Sequence, residues 1–169
     1  MKIVKNLTLI AIFSAIIITL EYALSFLPNI QLTFFLLILF SKVLGLKRTS
    51  LIILIYVLID NLLMGGISLY TPFIILSLLI IPLSLETIFK KVESPIVLAF
   101  LSIVYSLIYS WIYIIPTMLL TNINFIDYLT ADFIFEVILA SSTFLSVLWL
   151  YTPTKQFLSS LLKSKGILK

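Results

Sequence analysis

The sequence predicts an all-α integral membrane protein: a compact bundle of six transmembrane helices with both termini cytoplasmic. Three observations carry this. First, 62% of the 169 residues are hydrophobic and only 11% are charged, against about 25% charged in a typical soluble domain. A chain this apolar lacks the polar surface a soluble core needs, and with a mean hydropathy of +1.28 it is far from the composition of a disordered chain. Second, the apolar residues fall into six runs. At about 20 residues per bilayer span, six spans use about 120 residues and leave about 49 for loops and tails, so 1–169 reads as one membrane domain. Third, all 11 Lys and Arg residues fall at alternate connections.

The elements follow in order. A short basic head with Lys2 and Lys5 precedes the first span, 7–27, with Glu21 near its far end. A signal peptide opens in the same way, but this run is long, lacks a clear cleavage site and is followed by five more. Pro28-Asn29 breaks it. The second span, 30–46, takes in Gly45 and has Lys42, Lys47 and Arg48 clustered at its end. The third, 50–64, ends on Asp60-Asn61 and the turn Gly65-Gly66. At about 22 Å it is shorter than the hydrocarbon core of roughly 30 Å. The fourth, 72–89, carries Pro82 as an expected kink, and Lys90-Lys91-Val92-Glu93-Ser94-Pro95 connects it to the fifth, 96–119, where Pro116 marks a kink or frayed end. The sixth, 128–151, follows Asn122 and Asn124, with Asp127 expected as its N-cap and Pro153 as its stop. The basic tail, 154–169, is expected to lie on the membrane surface.

Lysine and arginine orient the bundle. Lys2, Lys5, Lys42, Lys47, Arg48, Lys90, Lys91, Lys155, Lys163, Lys165 and Lys169 share one side, which the positive-inside rule makes cytoplasmic. That placement argues for a multi-pass protein of the cell membrane and against nucleic-acid binding. The acidic residues lean the other way. Glu86 and Glu93 lie near the basic side, whereas Glu21, Asp60, Asp127, Asp132 and Glu136 lie in the outer half.

Absences narrow the chemistry. The chain has no Cys and no His, which removes disulfides, thiol chemistry, His-based triads and nearly all zinc sites. No P-loop spacing occurs; Gly45-Leu46-Lys47-Arg48-Thr49-Ser50 has the letters without the register.

Carboxylates inside a membrane span are costly and face the bundle interior or an aqueous cavity. Asp132 and Glu136 are four residues apart, so they share a helix face. Tyr105, Tyr109 and Tyr113 share another, with Ser102 and Ser106 beside them. With Glu21, Tyr22, Asp60 and Asn61, these groups are expected to converge on an outward pocket with a polar base and aromatic walls, the usual make-up of a small-molecule site. The alternatives are an aromatic belt for Tyr70 and Tyr113, and headgroup contact for Glu21. No Lys or Arg is available in that half to clamp an anion, which favours a neutral or cationic ligand. On the first helix, Ala11 and Ala15 with Ser14 between them form a small-residue motif that lets another helix approach closely.

The order of these parts resembles the substrate-binding S component of bacterial energy-coupling factor (ECF) vitamin transporters. The resemblance rests on Ala11-x-x-x-Ala15, on 28–33 (Pro-Asn-Ile-Gln-Leu-Thr), on Gly45, on 60–66 (Asp-Asn-Leu-Leu-Met-Gly-Gly) and on Tyr70-Thr71-Pro72. It implies capture of a vitamin-like small molecule from outside, with no catalytic residues, metal or cofactor in this chain. It further implies docking through Ala11, Ser14 and Ala15 onto a membrane coupling protein, with ATP used by two partner subunits. The family site zones hold Glu21, Gln31, Asp60, Asn61, Tyr70, Tyr109, Tyr113, Asp132 and Glu136. Cobalamin, riboflavin, thiamine-like and queuosine-type compounds all stay open. Two rival readings remain. One is a non-transporting scaffold similar to the cell-shape protein MreD, which needs no outward cavity. The other is an intramembrane enzyme built on a carboxylate pair.

Overall fold

The structure, a computed structural model, describes residues 2–167. It consists of six α-helices, and no strand occurs among the described residues: α1 (Lys2–Ala23), α2 (Thr33–Leu44), α3 (Leu46–Leu63), α4 (Tyr70–Glu86), α5 (Pro95–Thr121) and α6 (Phe125–Ser164). Lys169 lies outside the described residues. Three helices, α1, α5 and α6, are long and apolar enough to cross a membrane.

The core is built around the shortest helix. Ten of the 12 residues of α2 are buried, and α2 touches each of the other five helices. A helix apolar on every side is stable only where it is surrounded, and Phe34 to Phe40 satisfies that condition without a break. The other helices bury one face. In α3 the buried positions are Thr49, Ile52, Ile53, Tyr56, Val57 and Asn61, the three-and-four spacing of a helical stripe. The most extensive pair is α5 with α6. The buried residues of α5 include Ala99, Ser102, Ser106 and Ser110, small groups that let neighbouring backbones approach. Ser102 and Ser106 donate to Ala99 and Ile103 carbonyls of their own helix, so their hydroxyls are satisfied locally. The exterior is apolar instead, with Leu7, Ile12, Phe100, Phe133, Trp149 and Phe157 all exposed.

Several boundaries differ from those read in the sequence. A single residue, Gly45, joins α2 to α3. Its φ of 80° and ψ of 172° fall in a region open essentially to glycine alone. Lys47 and Arg48 therefore sit in the first turn of α3 rather than in a loop, because a long basic side chain can lay its stem along the bundle and keep its charge in water. Pro82, Pro116 and Pro153 all lie inside continuous helices. The sixth helix runs on through Pro153 to Ser164, held by buried Tyr151, Leu158 and Leu162 and by the ion pair of Lys155 with Glu93. Packing outweighs the one backbone hydrogen bond a proline removes. The fifth helix ends on Asn122 in the left-handed conformation. The N-cap of α6 is Asn124, whose side chain accepts from the Asp127 backbone N–H at 2.9 Å. Asp127 sits three residues later and pairs with the Asn124 amide, a variant of the reciprocal capping box.

The basic residues gather at one end. Lys42 Nζ donates to the Phe89 and Lys90 carbonyls at 2.9 and 3.1 Å, Lys155 meets Glu93, and Lys5 Nζ reaches the Lys165 carbonyl at 3.4 Å. The opposite end holds the links α1–α2, α3–α4 and α5–α6, and with them five of the seven acidic residues, Glu21, Asp60, Asp127, Asp132 and Glu136.

Candidate functional site

Two loops shape the acidic end. The α1–α2 link crosses toward α6, where the Gln31 backbone N–H donates to Ser142 Oγ at 3.3 Å. Asn29 bends this link with a φ of 58°, a conformation asparagine tolerates. The α3–α4 link turns on Gly65 and Gly66 at φ of 114° and 123°. Asn61 secures it: its amide donates to Val57 O at 2.9 Å and its carbonyl accepts from Thr71 Oγ1 at 2.8 Å, while its backbone oxygen accepts from Gly66 at 2.7 Å.

Beneath these loops lie three adjoining cavities. The first, of about 210 Å³, is lined by Asn29, Gln31, Tyr109, Ser110, Tyr113, Tyr128, Asp132, Phe135, Glu136 and Leu139. Ser110, Asp132 and Glu136 form its polar floor. Ser110 Oγ lies 3.1 Å from Asp132 Oδ2 and 2.8 Å from Glu136 Oε1. The second, of about 170 Å³, shares Asn29 and Gln31 with the first and adds Glu21. The third, of about 440 Å³, shares Tyr113 with the first and holds Asp60, Asn61 and Tyr70. An aromatic wall runs between them. Tyr70 stacks on Tyr113 at 4.6 Å, Tyr113 is 6.0 Å from Tyr109, and Phe34 meets Tyr109 edge-on at 5.6 Å. Such pairs add about 0.5–1.5 kcal/mol each beyond their buried area.

No family model, no curated protein and no solved structure matches this chain.

All nine residues expected at the site border one of the three adjoining spaces, though not in one role. Glu21 and Asp60 each keep a buried carboxylate oxygen without a hydrogen-bond partner. Asn61 spends its side chain on the α3–α4 loop and acts as a positioning residue. Tyr105 lies deeper, buried and bonded to Ser84 on α4 at 2.7 Å, outside the cavities. The three residues expected at a docking face divide: Ala11 and Ala15 are exposed on α1, whereas Ser14 is buried and donates to the Ile52 carbonyl of α3. Ser14 is a bundle contact: it sits at the edge of the α1 face that buries Ile10, Phe13 and Ile17, while the two alanines lie further round the helix toward the exposed side.

The sequence reading missed Asn29, Ser110, Tyr128 and Phe135. Two of these carried a signal. Ser110 continues Ser102 and Ser106 at intervals of four, and Tyr128 precedes Asp132 and Glu136 at the same interval. Asn29 depends on where its loop crosses, which local pattern does not encode.

Proposed function

We propose that this chain is the substrate-binding membrane subunit of an importer, similar to the S component of ECF-type vitamin transporters. In this reading all six helices lie in the cytoplasmic membrane, with the basic end and both termini in the cytoplasm and the acidic end outward. The short, enclosed α2 suits a helix shielded from lipid by its neighbours. The single observation that carries the proposal is the cavity over Ser110, Asp132 and Glu136, walled by Tyr109, Tyr113 and Tyr128. Carboxylates within the helices, gathered on a concave space with no Lys or Arg in its lining, support capture of a solute from that side.

Uphill transport needs an energy source, and the chain carries no nucleotide-binding loop. A membrane coupling protein and two ATP-binding subunits would supply it, with Ala11 and Ala15 on the exposed face of α1 as the surface for close helix approach. A scaffold similar to MreD has no use for an acidic cavity, and the cavity therefore favours the binding subunit.

The test is purification of the protein from its own host, followed by mass spectrometry of whatever small molecule stays bound. A stoichiometric vitamin-like compound, displaced from the folded protein by excess of the same compound, is the expected result. Well-folded protein that carries nothing and binds nothing in a broad vitamin panel would favour the scaffold.

A further inference from the structure

The floor of the first cavity has an unbalanced count of hydrogens. A serine hydroxyl carries one hydrogen, yet Ser110 Oγ stands within bonding distance of both Asp132 and Glu136. It satisfies one carboxylate at a time and leaves the other short of a donor. The adjoining cavities repeat the deficit, since Glu21 Oε2 and Asp60 Oδ1 are buried without partners. No Lys or Arg lines any of the three spaces. Four carboxylates thus line three adjoining cavities with no Lys or Arg in their linings. The remaining walls point the same way. Tyr109, Tyr113 and Tyr128 present aromatic rings, whose faces attract cations. The cavity has room for on the order of ten waters, too much for a bare monovalent ion and enough for a small ring system.

We propose that the ligand is an organic cation, a flat nitrogen-bearing molecule whose positive group sits between Asp132 and Glu136 while its ring lies along Tyr109 and Tyr113. This rests on the reading of the chain as a binding subunit and adds the charge of what it binds. The cation completes the hydrogen-bond count at Ser110 and offsets the carboxylates. A multiply anionic ligand would meet uncompensated repulsion at the same place.

Three probes that share one ring system and differ in charge test this: 4-aminoquinoline, which is protonated at neutral pH and carries N–H donors, quinoline, and quinoline-4-carboxylate. Binding is measured by quenching of intrinsic fluorescence, with the full chain in lipid nanodiscs at neutral pH and empty nanodiscs as the blank. The expected order is 4-aminoquinoline tighter than quinoline by about tenfold or more, with the carboxylate weakest. In Asp132→Asn and Glu136→Gln the ratio of cation to quinoline affinity shrinks toward parity. The wild-type comparison needs no variant to fold. Equal or tighter binding of quinoline or its carboxylate overturns the cation assignment. So does failure of all three to bind folded protein, since a site of this composition must register the cation. Either failure leaves the binding-subunit reading to be judged on the co-purifying molecule.

Discussion

At Glu136 one carboxylate joins two helices and a cavity, accepting from Ser110 across the α5–α6 seam at 2.8 Å. Glu136→Gln keeps the shape and removes the charge. Hydrogen bonds to charged groups contribute about 1.5–3 kcal/mol, so affinity for the co-purifying solute should fall roughly tenfold to a hundredfold. Isothermal titration of wild type against variant reads this directly, and unchanged affinity would reduce Glu136 to a packing role. Asn61 makes the contrasting case. Its bonds to Val57 and Thr71 are internal, so Asn61→Ala should cost about 1–3 kcal/mol through the groups left unpaired. Hydrogen exchange at 64–69 should speed up, with exchange in buried α2 unaltered. The carboxylates were legible because charge is rare in this chain and their spacing is helical. The division of labour between Glu136 and Asn61 was not, because a side chain's partners across helices are set by tertiary placement.

Among the elements, the α2–α3 joint is the tightest. Gly45→Ala places a Cβ at φ 80°, where a non-glycine residue costs about 1–3 kcal/mol. The nearest atom to that Cβ is Glu86 Oε1 at 3.9 Å, so the strain is conformational rather than steric crowding. The expected outcome is a lower melting temperature in detergent with ligand affinity retained. On α1, Ala11 and Ala15 are exposed, so Ala11→Leu or Ala15→Leu should leave folding and binding intact. In cells that carry the transport partners, the same variants should lose most solute uptake. Equal loss of binding would remove this face from any docking role. The existence of six helices was legible from the apolar runs. Their ends were less so: polar letters at Lys47 and Arg48 mimic a loop, and Pro153 mimics a stop, whereas basic side chains can reach water from a helix turn and buried Tyr151 and Leu158 carry α6 past its proline.

For the molecule as a whole, the proposed topology is open to a direct check, because the chain has no cysteine. A single introduced thiol is then a unique reporter. Lys47→Cys should resist a membrane-impermeant maleimide in intact cells and react after lysis. Asn122→Cys should react from outside at once. The reverse pattern would invert the bundle and turn the acidic cavity toward the cytoplasm. The separation of charge that predicts this orientation was the most readable property of the sequence, since each basic residue needs only to reach water on its own side. The cavity was only half readable, since composition pointed to polar groups at one end while the hollow between them depends on helix lengths.

Those lengths have a consequence of their own. From Gly45, α2 and α3 run side by side toward the acidic end, α2 with 12 residues and α3 with 18. At 1.5 Å per residue α2 stops about 9 Å before its neighbour does. Residues 24–32 roof the gap, and Asn29 and Gln31 on that roof border the cavity. The hollow is a helix left unfinished. Extending α2 by about two turns at its start would draw Asn29 and Gln31 out of the roof and into helix, which makes the residue at which α2 begins the measure of how deep the site can be.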